Sequence, residues 1–193
     1  MKQDFRILCC DPGITNFGYS VLEVNNGVPR VVRCGMIDKR WLIDESNTQV
    51  MRPKFKRFTR MFAALVDSTS ADCLVFERYI IQRRGTSGEL VNQMIGAMVL
   101  TARVESTQVM AATWKARIKK LMGCKLEEFY AEVKGTKKVP DHPVDATLQG
   151  LFFCERELGV KIEKLLTKRG RKQLATAIHD GYGGAFGRNV KCK

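Results

Sequence analysis

Four separated segments carry residues whose types and spacing suit chemistry on a phosphorylated substrate. The first is D-P-G-I-T-N-F-G-Y at 11–19. It places Asp11 where an apolar run ends, ahead of a sharp Pro-Gly turn, with glycines that leave the approach open. A carboxylate there can hold a divalent cation beside a phosphodiester, hold nucleotide phosphates from an Asp-x-Gly hairpin, or close an Asx-turn. The second is Glu77, which ends the apolar run C-L-V-F-E. An ionised group at the end of a buried strand needs a cation, supplied by a metal or by a side chain such as Arg78. The third is Asp141-His142-Pro143-Val144-Asp145-Ala146. Pro143 is expected as the first helical residue. Asp141 or His142 then shares a direction with Asp145 from the adjacent turn, though acidic residues also cap helices. The fourth is Lys115, after Trp114, able to meet a scissile phosphate or simply to stay solvated.

The elements that must position these groups follow from hydropathy. Residues 5–10, 18–24 and 31–37 read as three strands of an antiparallel meander, with the turn Asn25-Asn26-Gly27 between the last two. Residues 54–66 have helical spacing, with Phe55, Phe58 and Phe62 interleaved by basic residues. That face suits a core and, less simply, the stacking of unpaired bases. A strand at 73–76 leads to Glu77. A long helix is expected at 89–104, a fifth strand at 107–112, and a helix from Thr113 as cap to a stop at Gly123. Further helices are expected at 126–133 and from Pro143 to about 158. Residues 38–50, 82–88 and 134–139 read as loops. Residues 161–178 have helical character, and the glycines at 181, 183, 184 and 187 predict little regular structure beyond them. The order βββ-α-β-α-β-α-α predicts an α/β fold: a mixed five-stranded sheet flanked by helices.

Composition narrows the partners. The chain has 193 residues, with 33 Lys and Arg against 20 Asp and Glu, a net charge of +13. One domain accounts for the length, with residues 161–193 as a basic C-terminal extension carrying nine basic and two acidic residues. An excess of positive charge favours nucleic acid over a membrane surface. No apolar stretch reaches the roughly 18–20 residues of a membrane span. The seven cysteines are odd in number and form no C-x-x-C pair. Reduced thiols, a cytoplasmic location and no structural zinc are the expectation. In so basic a chain, clustered carboxylates with one imidazole call for Mg²⁺ or Mn²⁺.

With 11–19, V-F-E-R-Y-I at 75–80, T-W-K at 113–115 and H-P-V-D-A at 142–146 in this order, the chain resembles the RuvC-type Holliday-junction resolvases of the RNase H-like superfamily. The likeness is nearest to their phage and poxvirus branches and covers roughly residues 5–158. It implies an RNase H-like resolvase domain over 1–160. It also implies two metals on Asp11, Glu77 and Asp145, with His142 or Asp141 as the fourth ligand and Asp180 of His179-Asp180-Gly181 as a rival. Lys115 takes the place of the family's basic active-site residue. The implied reaction is metal-dependent hydrolysis of phosphodiesters in four-way junctions, by a homodimer whose best interface is the helix 89–104. Arg83, Arg84, Lys115, Lys119, Lys137 and Lys138 are the expected DNA contacts. Two other readings stay open: an RNase H-type enzyme on RNA–DNA hybrids, and an inactive DNA-binding protein on the same fold. An actin-like ATPase needs a duplicated domain, for which the chain is too short.

Overall fold

A computed structural model describes residues 4–38, 51–79, 86–134 and 139–186. Three strands open the chain: β1 (Asp4–Asp11), β2 (Phe17–Asn25) and β3 (Val28–Ile37). They form the expected antiparallel meander. The β2–β3 turn is tight because Asn26 and Gly27 both take positive φ, 52° and 73°, which suits the twist of a two-residue hairpin. Then follow α1 (Met51–Thr69), β4 (Cys73–Arg78), α2 (Thr86–Ala102), β5 (Glu105–Met110), α3 (Ala111–Met122), α4 (Leu126–Lys134) and α5 (Asp141–Leu158). The chain closes with α6 (Glu163–Leu166), α7 (Lys168–Gly181) and β6 (Tyr182–Phe186).

The sheet has six strands in the order β5-β4-β1-β2-β3-β6, not five. β4 runs parallel to β1, β5 parallel to β4, and β6 parallel to β3. The glycine-rich end was expected to be irregular, but strand pairing uses backbone groups, and small residues permit close approach. A Cβ on Gly35 of β3 would stand 2.6 Å from the Gly184 carbonyl oxygen. Phe186 seals the pairing against Tyr19, with ring centres 6.2 Å apart.

Both faces of the sheet are covered. On β1, Ile7 and Cys9 face α3, α4, α5 and α7, whereas Leu8 and Cys10 face α1 and α2. Phe58 and Phe62 are buried on the α1/α2 side against Phe17, so these two rings belong to the core and not to a base-stacking surface. Met94 and Met98 of α2 are buried in the same layer. The face of the helix 89–104 that carries these methionines is therefore core, and an interface must use another face.

Several boundaries differ from expectation. α2 begins at Thr86, so the predicted loop at 82–88 overlaps its first turn; residues 80–85, with Arg83 and Arg84, lie outside the described residues, as do Lys137 and Lys138. Residues 39–50 of the predicted loop lie outside them too. β5 sits two residues earlier than read, which moves the start of α3 to Ala111, with Met110 at its cap and no side-chain cap. Thr113 is therefore inside the helix. Gly123 ends α3 in the left-handed conformation, as expected. Pro140 precedes α5, so Pro143 is the third helical residue and not the first. That position tolerates proline equally, because the first turn's N–H groups have no intrahelical acceptor. Helix 161–178 is broken at Thr167, whose Oγ1 accepts the Gly170 N–H at 3.2 Å.

The basic C-terminal segment contributes to the core through Ile162, Leu166, Leu174 and Ile178, which share the layer of α3, α4 and α5. The Cys34 thiol donates to the Ile178 carbonyl at 3.3 Å. The six described cysteines are free. No helix among the described residues is long and apolar enough to cross a membrane.

α5 is the helix nearest the sheet centre, and two glycines let it in. A Cβ on Gly150 would lie 2.3 Å from Cys9 Sγ and 2.5 Å from Leu22 Cδ1, both fully buried. Gly150→Ala is therefore expected to destabilise the protein by about 1–3 kcal/mol in urea denaturation, overpacking outweighing the helix propensity of alanine. Gly96 of α2 has nothing within 4 Å of such a Cβ, and Gly96→Ala is expected to stabilise by up to ~1 kcal/mol.

Candidate active site

Side-chain alternation brings the first two carboxylates together. On β1, Ile7 and Cys9 point to the α5 side, and Asp11 is the next residue of that row. On the neighbouring parallel β4, Cys73 and Val75 do the same, and Glu77 follows. Cys9 pairs with Val75 in register. Asp11 and Glu77 thus end equivalent rows on adjacent strands, at the edge where both strands stop.

α5 supplies the second pair. Its first turn presses on the start of β2, where a Cβ on Gly18 would be 2.4 Å from the His142 carbonyl carbon. Gly18 pairs with Asp11 across the β1–β2 ladder. The close approach delivers His142 to Asp11: Nδ1 lies 2.6 Å from Oδ2. A carboxylate only accepts, so Nδ1 carries the proton and the other ring nitrogen, Nε2, points elsewhere. The hydroxyl of Thr147, one turn further, donates to Ser20 Oγ at 2.8 Å and locks the helix to β2.

Each carboxylate is held by a donor. Trp114 Nε1 donates to Glu77 Oε2 at 3.0 Å. The Tyr130 hydroxyl donates to Asp145 Oδ1 at 2.5 Å. Lys115 Nζ stands 3.7 Å from Asp145 Oδ2 and 5.1 Å from the Trp114 ring centre.

The charges feel one another. Burial pushes Asp145 up to about 6, with the nearby Asp11 and Glu77 adding to the shift and Tyr130 and Lys115 opposing it. Burial raises Glu77 as well, with Asp11 adding and Trp114, Lys115 and His142 opposing. The hydrogen bond to Asp11 raises His142 against the effect of its burial. The stability that this pair contributes is complete below the ordinary imidazole value and is lost as pH rises through the raised one. Burial and the Asp145 charge push the Tyr130 phenol far above its usual range, so it remains a donor.

The structure thus brings Asp11, Glu77, His142, Asp145 and Lys115 to one edge. Asp141 is turned away to Lys134, 3.1 Å from its Nζ, and is half-exposed. Asp180 is exposed near the end of α7 beside His179. Lys119 lies one turn beyond Lys115 on α3 and is exposed. Trp114 and Tyr130 as carboxylate donors escaped the sequence reading. Trp114 stood beside a quoted lysine, but nothing in the apolar pattern of 126–133 tied Tyr130 to a residue fifteen positions on.

Among the described residues, no three His, Cys, Asp or Glu side chains close into a ready metal cage. The donor set nevertheless suits a hard divalent cation. It offers carboxylate oxygens and one imidazole, and burial together with the repulsion among the carboxylates raises Asp145 and Glu77, a cost that a bound cation relieves.

Among solved structures, Thermus thermophilus RuvC superposes with a TM-score of 0.58 at 17% identity, over 81% of this chain and 98% of RuvC. This is the RuvC fold. T. thermophilus RuvC in complex with its Holliday junction substrate matches at 0.59 and 17% identity, over 81% and 97% of the two chains. The yeast mitochondrial Holliday junction resolvase Ydc2 matches at 0.50 and 12%, over 92% and 78%. No family model and no curated protein matches the sequence. At these identities the likeness is one of fold, the α/β, RNase H-like fold of RuvC.

The raised Asp145 makes a testable statement about stability. Its acid form is favoured in the folded protein, so its contribution is complete below its ordinary value near 3.8 and is lost as pH rises through about 6. Asp145→Asn is expected to stabilise the chelator-treated protein at pH 8 by up to ~3 kcal/mol. The gain should shrink toward zero near pH 4, as measured by urea melts at each pH.

Proposed function

We propose that this protein is a divalent-metal-dependent endonuclease that resolves four-way DNA junctions. The observation that supports it best is the convergence of Asp11, Glu77 and Asp145, with His142 and Lys115, at one edge of a RuvC fold in a chain of charge +13. The solved complex of T. thermophilus RuvC with a Holliday junction adds the substrate class.

In this reading Asp11, Glu77, Asp145 and the free Nε2 of His142 hold two Mg²⁺ or Mn²⁺ ions. Bound there, the ions supply an activated water and charge stabilisation for the leaving 3′ oxygen. The chain's own groups do the rest. Asp11 fixes the His142 tautomer through Nδ1–H, which leaves Nε2 as the ligating nitrogen. Trp114 orients Glu77. Lys115 reaches solvent beside Asp145 and meets a phosphate oxygen of the strand. Lys119 extends that positive row along α3, and Arg83, Arg84, Lys137 and Lys138, which lie outside the described residues, are proposed as further phosphate contacts. Asp141 and Asp180 take no part, the first being engaged by Lys134 and the second by His179.

A homodimer matches the two-fold symmetry of a junction. With Met94 and Met98 in the core, the available surface of α2 is the side bearing Gly96 and Leu100, the latter 84% exposed. Leu100 borders a groove of about 470 Å³ lined by Thr59, Arg60, Ala63 and Asp67 of α1.

The decisive assay offers a mobile four-way junction, a linear duplex and an RNA–DNA hybrid, each with and without Mg²⁺. Cutting of the junction alone, and only with metal, is expected. Cutting of the hybrid in preference would replace the resolvase reading with an RNase H-type one. Asp11→Asn is expected to lower junction cleavage by more than ~100-fold with binding retained, since both the metal site and the His142 tautomer depend on it. A near-normal rate would exclude the assigned site.

Leu100→Glu is expected to convert a micromolar dimer to a folded monomer in sedimentation runs. Paired incisions should then become single nicks. A wild-type monomer that cuts both strands normally would refute the dimer.

A further inference from the structure

Tyr130 and Lys134 stand four residues apart on α4, and Asp141 and Asp145 stand four apart on α5. Each pair therefore shares a helix face. The two faces meet: the Tyr130 hydroxyl lies 2.5 Å from Asp145 Oδ1, and Lys134 Nζ lies 3.1 Å from Asp141 Oδ1. The links are unequal. Both partners of the Lys134 pair are about half-exposed, a setting in which ion pairs hold geometry weakly. The Tyr130 link is short and joins a half-buried ring to a carboxylate only 14% exposed.

Asp145 needs such a partner. Its second oxygen, Oδ2, has Lys115 at 3.7 Å, beyond hydrogen-bond length and on a flexible side chain. Without Tyr130, nothing rigid among the described contacts fixes the rotation of this carboxylate. Tyr130 itself is anchored, because Leu126, Phe129 and Val133 of the same helix are buried in the layer shared with α5.

We propose that Tyr130 is a positioning residue for Asp145. Carried by α4, its hydroxyl holds Oδ1, so that Oδ2 is presented to Lys115 and to the edge shared with Asp11 and Glu77. The inference rests on the nuclease reading above and assigns α4 a part in it. α4 then acts as a brace for the site and not only as packing for the sheet.

The test uses Tyr130→Phe, which keeps the ring and removes the bond. Two readouts are taken: calorimetric titration of Mn²⁺ into the DNA-free protein, and junction cleavage across a range of Mg²⁺ concentrations. Loss of the outer partner of a metal ligand is expected to weaken Mn²⁺ binding by about 10–100-fold and to raise the half-saturating Mg²⁺ in step. In an Asp145→Asn background the same substitution should change Mn²⁺ affinity by less than about 2-fold, since its target has already lost its charge. Unchanged Mn²⁺ affinity in a Tyr130→Phe protein, with wild type cleaving normally, would overturn the inference and leave the nuclease reading standing. Equal losses in both backgrounds, or a Tyr130→Phe protein unfolded in chelator at 25 °C, would assign the hydroxyl to the fold and also overturn it. A wild type that neither binds Mn²⁺ nor cuts would remove the nuclease reading and the positioning role together.

Discussion

The site depends on how closely α5 lies on β1 and β2. Two glycines on opposite partners make that contact possible: Gly18 on the strand meets His142 at the top of the helix, and Gly150 on the helix meets Cys9 and Leu22 two turns below. The Thr147–Ser20 hydroxyl bond sits between them. Three contacts along one helix fix its height as well as its tilt. A shift of one ångström there would separate His142 from Asp11, whose hydrogen bond is 2.6 Å long. The geometry of this edge is therefore a consequence of core packing, because close-packed interiors transmit displacement and do not absorb it.

On that frame the electrostatics are set by burial and by the mutual repulsion of the carboxylates. Among the described side chains every Lys and Arg except Arg171 is exposed or partly exposed, while Asp145 and Glu77 sit where burial disfavours their charged forms. Proton donors from three elements partly compensate: His142 for Asp11, Trp114 for Glu77, Tyr130 for Asp145. Trp114 and Tyr130 are neutral donors, which orient a carboxylate without neutralising it. Burial and repulsion still raise Asp145 and Glu77 despite Lys115, which is the condition under which a hard divalent ion binds well.

The sheet's two faces divide the work. α1 and α2 cover one side with an aromatic and methionine-rich layer of Phe17, Phe58, Phe62, Met94 and Met98. The other side carries α3, α4 and α5, which bring Lys115, Tyr130, His142 and Asp145 to the strand ends. α7 closes the same side, with Leu174 and Ile178 in its core, and passes directly into β6. Positive charge in residues 161–193 is thus borne partly by elements that also complete the hydrophobic layer.

Much of this was legible in the residues alone. Asp11, Glu77, Lys115, His142 and Asp145 were marked by their places at strand ends and helix starts, since a buried strand that finishes in a carboxylate is conspicuous. The meander, β4, and the body of every long helix followed from period and turn chemistry, which are local properties. β6 was not legible, because its pairing with β3 uses backbone groups and its glycines carry no pattern. The direction of α2's methionines was equally hidden, since an apolar helix face looks the same whether it meets its own sheet or a second chain. Tyr130 could be recognised only once α4 was laid against α5. The sequence determined which groups can do chemistry and which strands and helices carry them. Only the tertiary structure decided which of Asp141, His142 and Asp180 stands beside Asp11, because that depends on the depth at which two glycines let one helix settle on the sheet.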